Sequence, residues 1–268
     1  VSIRSDGVQG NDGSWSPVLS ADGRFVVFHS YASNLVAGDT NSVADVFVHD
    51  RQTGLTNRVS VRSDGAQANL GSYHAAVSAD GRYVAFDSMA SNLLAEDTNE
   101  SWSDVFIHDR QTGLTSLVSV RPNGITGIGS SYAPSLSDDG RYVAFDSDAS
   151  DLVAGDTNGR SDAFVHDRQT GLTTLISVAS DGTQGNNNSA RPVLSPDGRY
   201  VAFTSEAYNL VAGDTNDHPD IFVRDLQTGA TSRVSVSSEG TQTNGVSGDP
   251  VLSADGRKLT EFKQSNRQ

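Results

Sequence analysis

Short apolar runs alternate with polar turns along the whole chain, and the same succession returns five times. Unit starts fall at Val1, Val59, Val118, Ile176 and Val234, spaced by 58, 59, 58 and 58 residues. Each unit reads V-S-V, a Ser/Asp-Gly loop, P-V-L-S, A-D-G-R, Y-V-A-F, a long N-L-V-A-G-D-T-N loop, D-V-F-V-H-D and R-Q-T-G-L-T, with small changes. Four of these stretches have the length and composition of strands, so each unit predicts four short strands, A to D.

The turns order those strands. Asp22-Gly23, Asp80-Gly81, Asp139-Gly140, Asp197-Gly198 and Asp255-Gly256 lie between apolar runs and predict two-residue A-to-B hairpins, because Asp-Gly takes positive φ readily. Thr53-Gly54, Thr112-Gly113, Thr170-Gly171 and Thr228-Gly229 predict tight C-to-D connections. Strand B (Phe25 to Phe28, Tyr83 to Phe86, Tyr142 to Phe145, Tyr200 to Phe203) is apolar on both faces, as a strand between stacked sheets must be. Strand D alternates, with Leu55, Val59 and Val61 on one side and Thr56, Arg58 and Ser60 on the other, which predicts an exposed outer edge. Four-stranded antiparallel sheets at this period bury both faces only by stacking radially, so the chain is read as all-β, a β-propeller of units 1–58, 59–117, 118–175, 176–233 and a partial 234–268. It begins on a D strand (Val1 to Ile3) and ends after an A strand and a damaged B strand, Lys258-Leu259-Thr260-Glu261-Phe262, in which Glu261 falls where strand B carries Phe. Head and tail are therefore expected to share an incomplete fifth blade. An unclosed ring would leave edges open to self-association.

Composition narrows the partners. A formal charge of -14, spread along the chain, disfavours nucleic acid and favours cations. No apolar run approaches the roughly 18 residues of a membrane helix, so no membrane insertion is expected. The lack of Cys excludes disulfides and thiolate metal sites. The absence of an initiator Met and of a leader fits a processed secreted protein or an excised fragment. The only lysines, Lys258 and Lys263, set the tail apart from the repeats.

The strings S-A-D-G-R-Y-V-A-F and S-P-D-G-R-Y-V-A-F resemble the repeats of the TolB propeller and its WD-like relatives in bacterial envelope and secreted proteins. That resemblance implies a secreted or periplasmic location. It also implies the roles such propellers play: binding platforms, protein docking modules and gating domains of peptidases. A non-enzymatic binding or scaffold propeller with a protein or glycan ligand is the expectation that follows.

In a four-stranded blade the long B-to-C and D-to-A connections share one face, where function is expected. The B-to-C loops repeat Asp39, Asn41 and Asp45; Asp97, Asn99 and Asp104; Asp156, Asn158 and Asp162; Asp214, Asn216 and Asp220. Hard oxygen donors at this spacing suit calcium, and no Lys or Arg repeats beside them in the sequence. The other reading is an Asx-turn network in which Asp and Asn bond their own backbone. His49-Asp50, His108-Asp109 and His166-Asp167 look catalytic in isolation, yet they recur blade after blade, with Arg224 replacing the His in unit four, so they read as building parts.

Positions that vary inside the repeated frame are more informative. At the start of strand A the units read Ser14-Trp15-Ser16, Ser72-Tyr73-His74, Ser131-Tyr132-Ala133, Ser189-Ala190-Arg191 and Ser247-Gly248-Asp249. Trp15, Tyr73 and Tyr132 are suited to stacking on a sugar or peptide side chain, with His74, Arg191 and Asp249 as polar contacts; the alternative is that the aromatics plug the channel. A carbohydrate-active or hydrolytic enzyme is the second function class. Against it, no nucleophile elbow or zinc-protease motif occurs, and this ring offers one acid where acid-base catalysis needs two unlike carboxylates.

Overall fold

A computed structural model describes residues 1–94 and 102–253, together with the backbone of 259–263. Blade 1 comprises β1 (Ser14–Leu19), β2 (Phe25–Ser30), β3 (Asp45–Asp50) and β4 (Thr56–Arg58). Blade 2 comprises β5 (Ser72–Val77), β6 (Tyr83–Ser88), β7 (Asp104–Asp109) and β8 (Leu114–Leu117). Blade 3 holds β9 (Ser131–Leu136), β10 (Tyr142–Ser147), β11 (Asp162–Asp167) and β12 (Leu172–Leu175), and blade 4 holds β13 (Ser189–Leu194), β14 (Tyr200–Ser205), β15 (Asp220–Asp225) and β16 (Thr231–Arg233). A last, two-stranded sheet pairs β17 (Ser247–Leu252) with β18 (Leu259–Lys263). Each four-stranded sheet is antiparallel in chain order, and the A strands of successive blades pack on one another, which places them innermost.

The blades interlock through two unlike faces. Val27, Val46 and Val48 of blade 1 pack on Phe86 and Phe106 of blade 2, and the same join recurs between blades 2 and 3 (Val105 and Ile107 on Phe145 and Phe164) and between 3 and 4 (Val165 on Phe203 and Phe222). The paired phenyl rings are offset-stacked 5.7–6.0 Å apart, and each buried ring contributes about 1.5–3 kcal/mol. On the hairpin rim, Arg24, Arg82, Arg141 and Arg199 grip Asp50, Asp109, Asp167 and Asp225 with two bonds each. Arg110 of blade 2 also reaches back, lying 4.3 Å above the Phe25 ring of blade 1, as Arg168 lies above Tyr83.

Two expectations change. The A-to-B connections run from Ser20 to Arg24 and its equivalents, wider than two residues, because Asp22 bonds both the Ser20 hydroxyl and the Arg24 amide and so needs a longer loop. The outer edge is not bare: Leu55 is exposed while Thr56 and Ser60 are buried, because the Thr56 hydroxyl donates to the Ile3 carbonyl and the Thr56 amide to the Ser5 hydroxyl. The N-terminal segment thus lies on the outside of blade 1. The same contact recurs at later seams, where Thr115 bonds Val61 and Ser63 and Thr231 bonds Val178 and Ser180, so it is part of the repeat and does not compete with the expected shared blade. β18 keeps the expected register, with Leu259 opposite Leu252 as Val201 is opposite Leu194.

Candidate functional site

Every A strand carries a bulge one residue after its variable pair begins, and the bulged residue has positive φ: Ser16 (50°), His74 (40°), Ala133 (49°), Arg191 (54°) and Asp249 (53°). A left-handed conformation at a residue other than Gly costs on the order of 1 kcal/mol, and a bulge re-aims the side chain it carries. Because the bulge recurs in all five units, it is part of the blade; the side chain it presents is what differs. The serine before each bulge is structural, with Ser14, Ser72, Ser131 and Ser189 bonded to Ser30, Ser88, Ser147 and Ser205 at 2.8–2.9 Å.

Trp15, Tyr73 and His74 come together around His29. Trp15 stacks on His29 at 5.9 Å and meets Tyr31 edge-on at 5.6 Å, Tyr73 lies 5.6 Å from His29, and the Tyr31 and Tyr73 hydroxyls are 3.3 Å apart. Burial and the Tyr31 hydroxyl push the Tyr73 phenol up to about 12. Arg191 forms an ion pair with Asp249, and both are largely exposed. His74, Ala133 and Arg191 line a groove of about 280 Å³ with Val18, Pro134 and Pro192, large enough for one sugar ring or one side chain. Tyr132 pairs in register with Asp146 and stands exposed at 38%, apart from the aromatic cluster.

The second acid that the strand-A ring lacks is supplied by strand B. Asp87 and Asp146 follow the Phe of Y-V-A-F, in register with Tyr73 and Tyr132. Both are buried, at 2% and 8% exposure. Asp87 accepts a 2.9 Å bond from His74 Nδ1, an arrangement that raises the imidazole pKa. Asp146 accepts only the Arg191 amide (3.0 Å), and burial, reinforced by the nearby Asp87 and Asp148 charges, pushes its carboxyl up to about 7. The expectation of a single acid is therefore corrected to two carboxylates in unlike surroundings. The same position in blades 1 and 4 holds His29 and Thr204, whose Nδ1 and Oγ1 are buried without a hydrogen bond. The clue was in the sequence: the residue between Y-V-A-F and Ser reads His, Asp, Asp and Thr in an otherwise constant string.

On the long-loop face the Asx turns are present, with the Val43, Arg160 and His218 amides donating to Asn41, Asn158 and Asn216 Oδ1. The acids beside them converge with a glutamine of the following D-to-A loop: Gln67 Nε2 donates to Asp39, Gln184 to Asp156 and Asp162, and Gln242 to Asp214 and Asp220. Counter-charges appear that the loop sequences did not show. Arg58 Nη1 lies 3.5 Å from Asp39 and 3.2 Å from Asp45, and Arg233 Nη1 lies 3.3 Å from Asp214 and 3.4 Å from Asp220. Among the described residues no three His, Cys, Asp or Glu group as metal ligands. Asp97 and Asn99 lie outside the described residues, while Asp104 accepts the Ser119 hydroxyl.

The repeated histidines are fasteners. The Thr56 hydroxyl spends its proton on Ile3, so His49 Nδ1 must be the donor in their 2.9 Å bond; His108 and His166 meet Thr115 and Thr173 alike. Arg224 in blade 4 donates to Thr231 Oγ1 at 2.8 Å, which explains why Arg can stand where the others have His. Burial lowers the pKa of all three imidazoles, keeping them neutral donors. A groove of about 500 Å³ opens on the hairpin rim, where Leu226 stands in place of the second capping Arg and Tyr142 keeps only the Arg141 guanidinium, 4.7 Å from its ring centroid.

Neither a protein-family model nor a curated protein matches the sequence. Solved structures match the fold. TolB from Acinetobacter baumannii aligns over 94% of this chain and 55% of its own, with 18% identity and a TM-score of 0.54. TolB from Agrobacterium tumefaciens aligns over 96% and 72%, with 16% identity and a TM-score of 0.60. The chain has the TolB-like propeller fold. Other TolB-like neighbours include an oligogalacturonate lyase from Vibrio parahaemolyticus, at 14% identity and a TM-score of 0.54, covering 93% of this chain and 58% of that one. The TolB-like fold thus includes an enzyme, and this chain spans about half to three quarters of the lengths of these three proteins.

Proposed function

We propose that this is a binding propeller that holds a short stretch of glycan or peptide across its channel mouth. One observation carries the reading. Aromatic rings (Trp15, Tyr31, Tyr73), a charged pair (Arg191, Asp249) and unpaired polar atoms (His29 Nδ1, Thr204 Oγ1) occupy positions that differ between otherwise repeated blades, and His74 beside the rings shares a groove with Arg191. A channel plug needs apolar bulk and no unpaired polar atoms, which cost free energy when buried. Trp15, 48% exposed, offers a free face for stacking. An extracytoplasmic location suits such a role and accords with the acidic, cysteine-free composition.

A second reading, catalysis on a carbohydrate, draws support from Asp87 and Asp146. One carboxylate is paired with His74 and the other is pushed up to about 7, the pattern of a base beside an acid.

Trp15 reports on binding directly. In a Trp102→Phe background, titration with panels of neutral glycans, uronate oligomers and peptides gives saturable quenching by one class, and Arg191→Ala weakens it at least tenfold. A flat response to all three classes refutes the proposal. If the bound glycan is also cleaved, and Asp146→Asn retains binding but loses cleavage, the catalytic reading prevails.

A further inference from the structure

The long-loop clusters of blades 1, 3 and 4 share their acids and glutamine but differ in one outer-strand residue, while in blade 2 Thr126 stands in place of the glutamine. Arg58 and Arg233 precede the V-S-V segments of units two and five, whereas Leu117 and Leu175 hold the same place before units three and four. In blade 4 the Arg233 guanidinium lies 3.3 and 3.4 Å from Asp214 and Asp220 while Gln242 donates to the same two oxygens, so a positive charge fits beside the glutamine. Blade 3 keeps every other part. Gln184 Nε2 donates to Asp156 Oδ1 (2.8 Å) and Asp162 Oδ2 (2.9 Å), Asn158 Nδ2 to Asp162 Oδ2 (2.8 Å), and the Ser177 hydroxyl to Asp162 Oδ1 (2.5 Å). Among the described residues no guanidinium forms an ion pair with Asp156 or Asp162.

Two observations point to what fills the place. Asp156 is 7% exposed, yet its Oδ2 is buried without a hydrogen bond. At the equivalent point of blades 1 and 4 the protein itself supplies a cation. A groove lined by Thr157, Leu175 and Gln184 lies alongside the cluster.

We propose that blade 3 binds a calcium ion between Asp156 and Asp162, and that Arg58 and Arg233 are built-in substitutes for that ion in blades 1 and 4. A doubly negative pair with one carboxylate oxygen left without a donor suits a hard divalent cation, and two buried carboxylates without a counter-charge are costly unless neutralised. The site is independent of the channel mouth, so either proposal can fail without the other.

The test uses chelator-stripped protein at pH 7.5, titrated with CaCl₂ by calorimetry and followed by thermal unfolding. Calcium bound elsewhere in the chain is common to parent and variant, so the decisive quantity is a difference. Leu175→Arg binds one calcium fewer per chain than the parent and melts higher than the parent when both are calcium-free. Asp156→Asn, which preserves shape, weakens that site at least tenfold. Calcium at a hundredfold excess over Kd raises the parent Tm by about 5 °C or more. Absence of calcium binding by the parent, equal stoichiometry in parent and Leu175→Arg, or the same Tm rise from NaCl at matched ionic strength overturns the proposal.

Discussion

Replacing Asp146 by Asn is expected to make the protein more stable at neutral and alkaline pH. The carboxyl is pushed from an ordinary 3.8 to about 7, so the folded state holds this proton more tightly than the unfolded chain does. Stability from this group is therefore intact below about pH 4, declines as pH rises, and is lost above about pH 7. A displacement of roughly three pH units at about 1.4 kcal/mol each sets the loss near 4 kcal/mol, and relaxation around the charge lowers it to about 2–4 kcal/mol. Asn keeps the oxygen that accepts the Arg191 amide and cannot ionise. Urea unfolding at pH 4, 6 and 8 reads the effect, with near-equal stability at pH 4 and a growing advantage for the variant toward pH 8. Asp162, pushed up to about 6, adds a slope of the same sign, and His74 adds one through its raised imidazole. The Asp162 slope is common to parent and variant and cancels in the difference, whereas the His74 slope draws in part on the Asp146 charge and shrinks with it in the variant. Parallel profiles, or a variant less stable at pH 8, would show that the carboxylate is solvated or paired in its charged form and would undo the assignment of unlike acids.

Two packing predictions concern the seams between blades. Gly81 has φ +73°, and a Cβ there would lie 2.0 Å from the Phe25 ring, so Gly81→Ala must displace the ring that Arg110 caps; a loss of about 2 kcal/mol in urea unfolding is expected. Phe106→Ala, in the seam of blades 1 and 2, should cost about 3–5 kcal/mol, and an unfolding curve indistinguishable from the parent would contradict the buried stack.

The blades were legible because one unit's ambiguities were resolved by four others. The Asp-Gly and Thr-Gly turns, strand B and strand C all fall where the period puts them, and the doubly apolar strand B implied stacked neighbours before any contact was known. The channel ring was half legible. Its strand-A members were found by asking which positions vary, but the same question was not asked of strand B, so Asp87 and Asp146 were missed. Arg58 and Arg233 were missed for a different reason. They approach the loop acids from an outer strand more than a dozen residues away, and only the fold of the blade brings that strand over the B-to-C loop.

The valine face and the phenylalanine face that join successive blades recur almost unchanged along the chain. Any rear surface is therefore a fitting mate for any front surface, and what assigns neighbours is the tether between them. Loss or duplication of a whole unit in the gene would leave each surviving joint chemically intact, whereas an insertion that breaks the register within a unit would spoil the joints on both sides. Blade number is thus easy for evolution to change, and the few residues that individualise each blade are where new binding properties can accumulate.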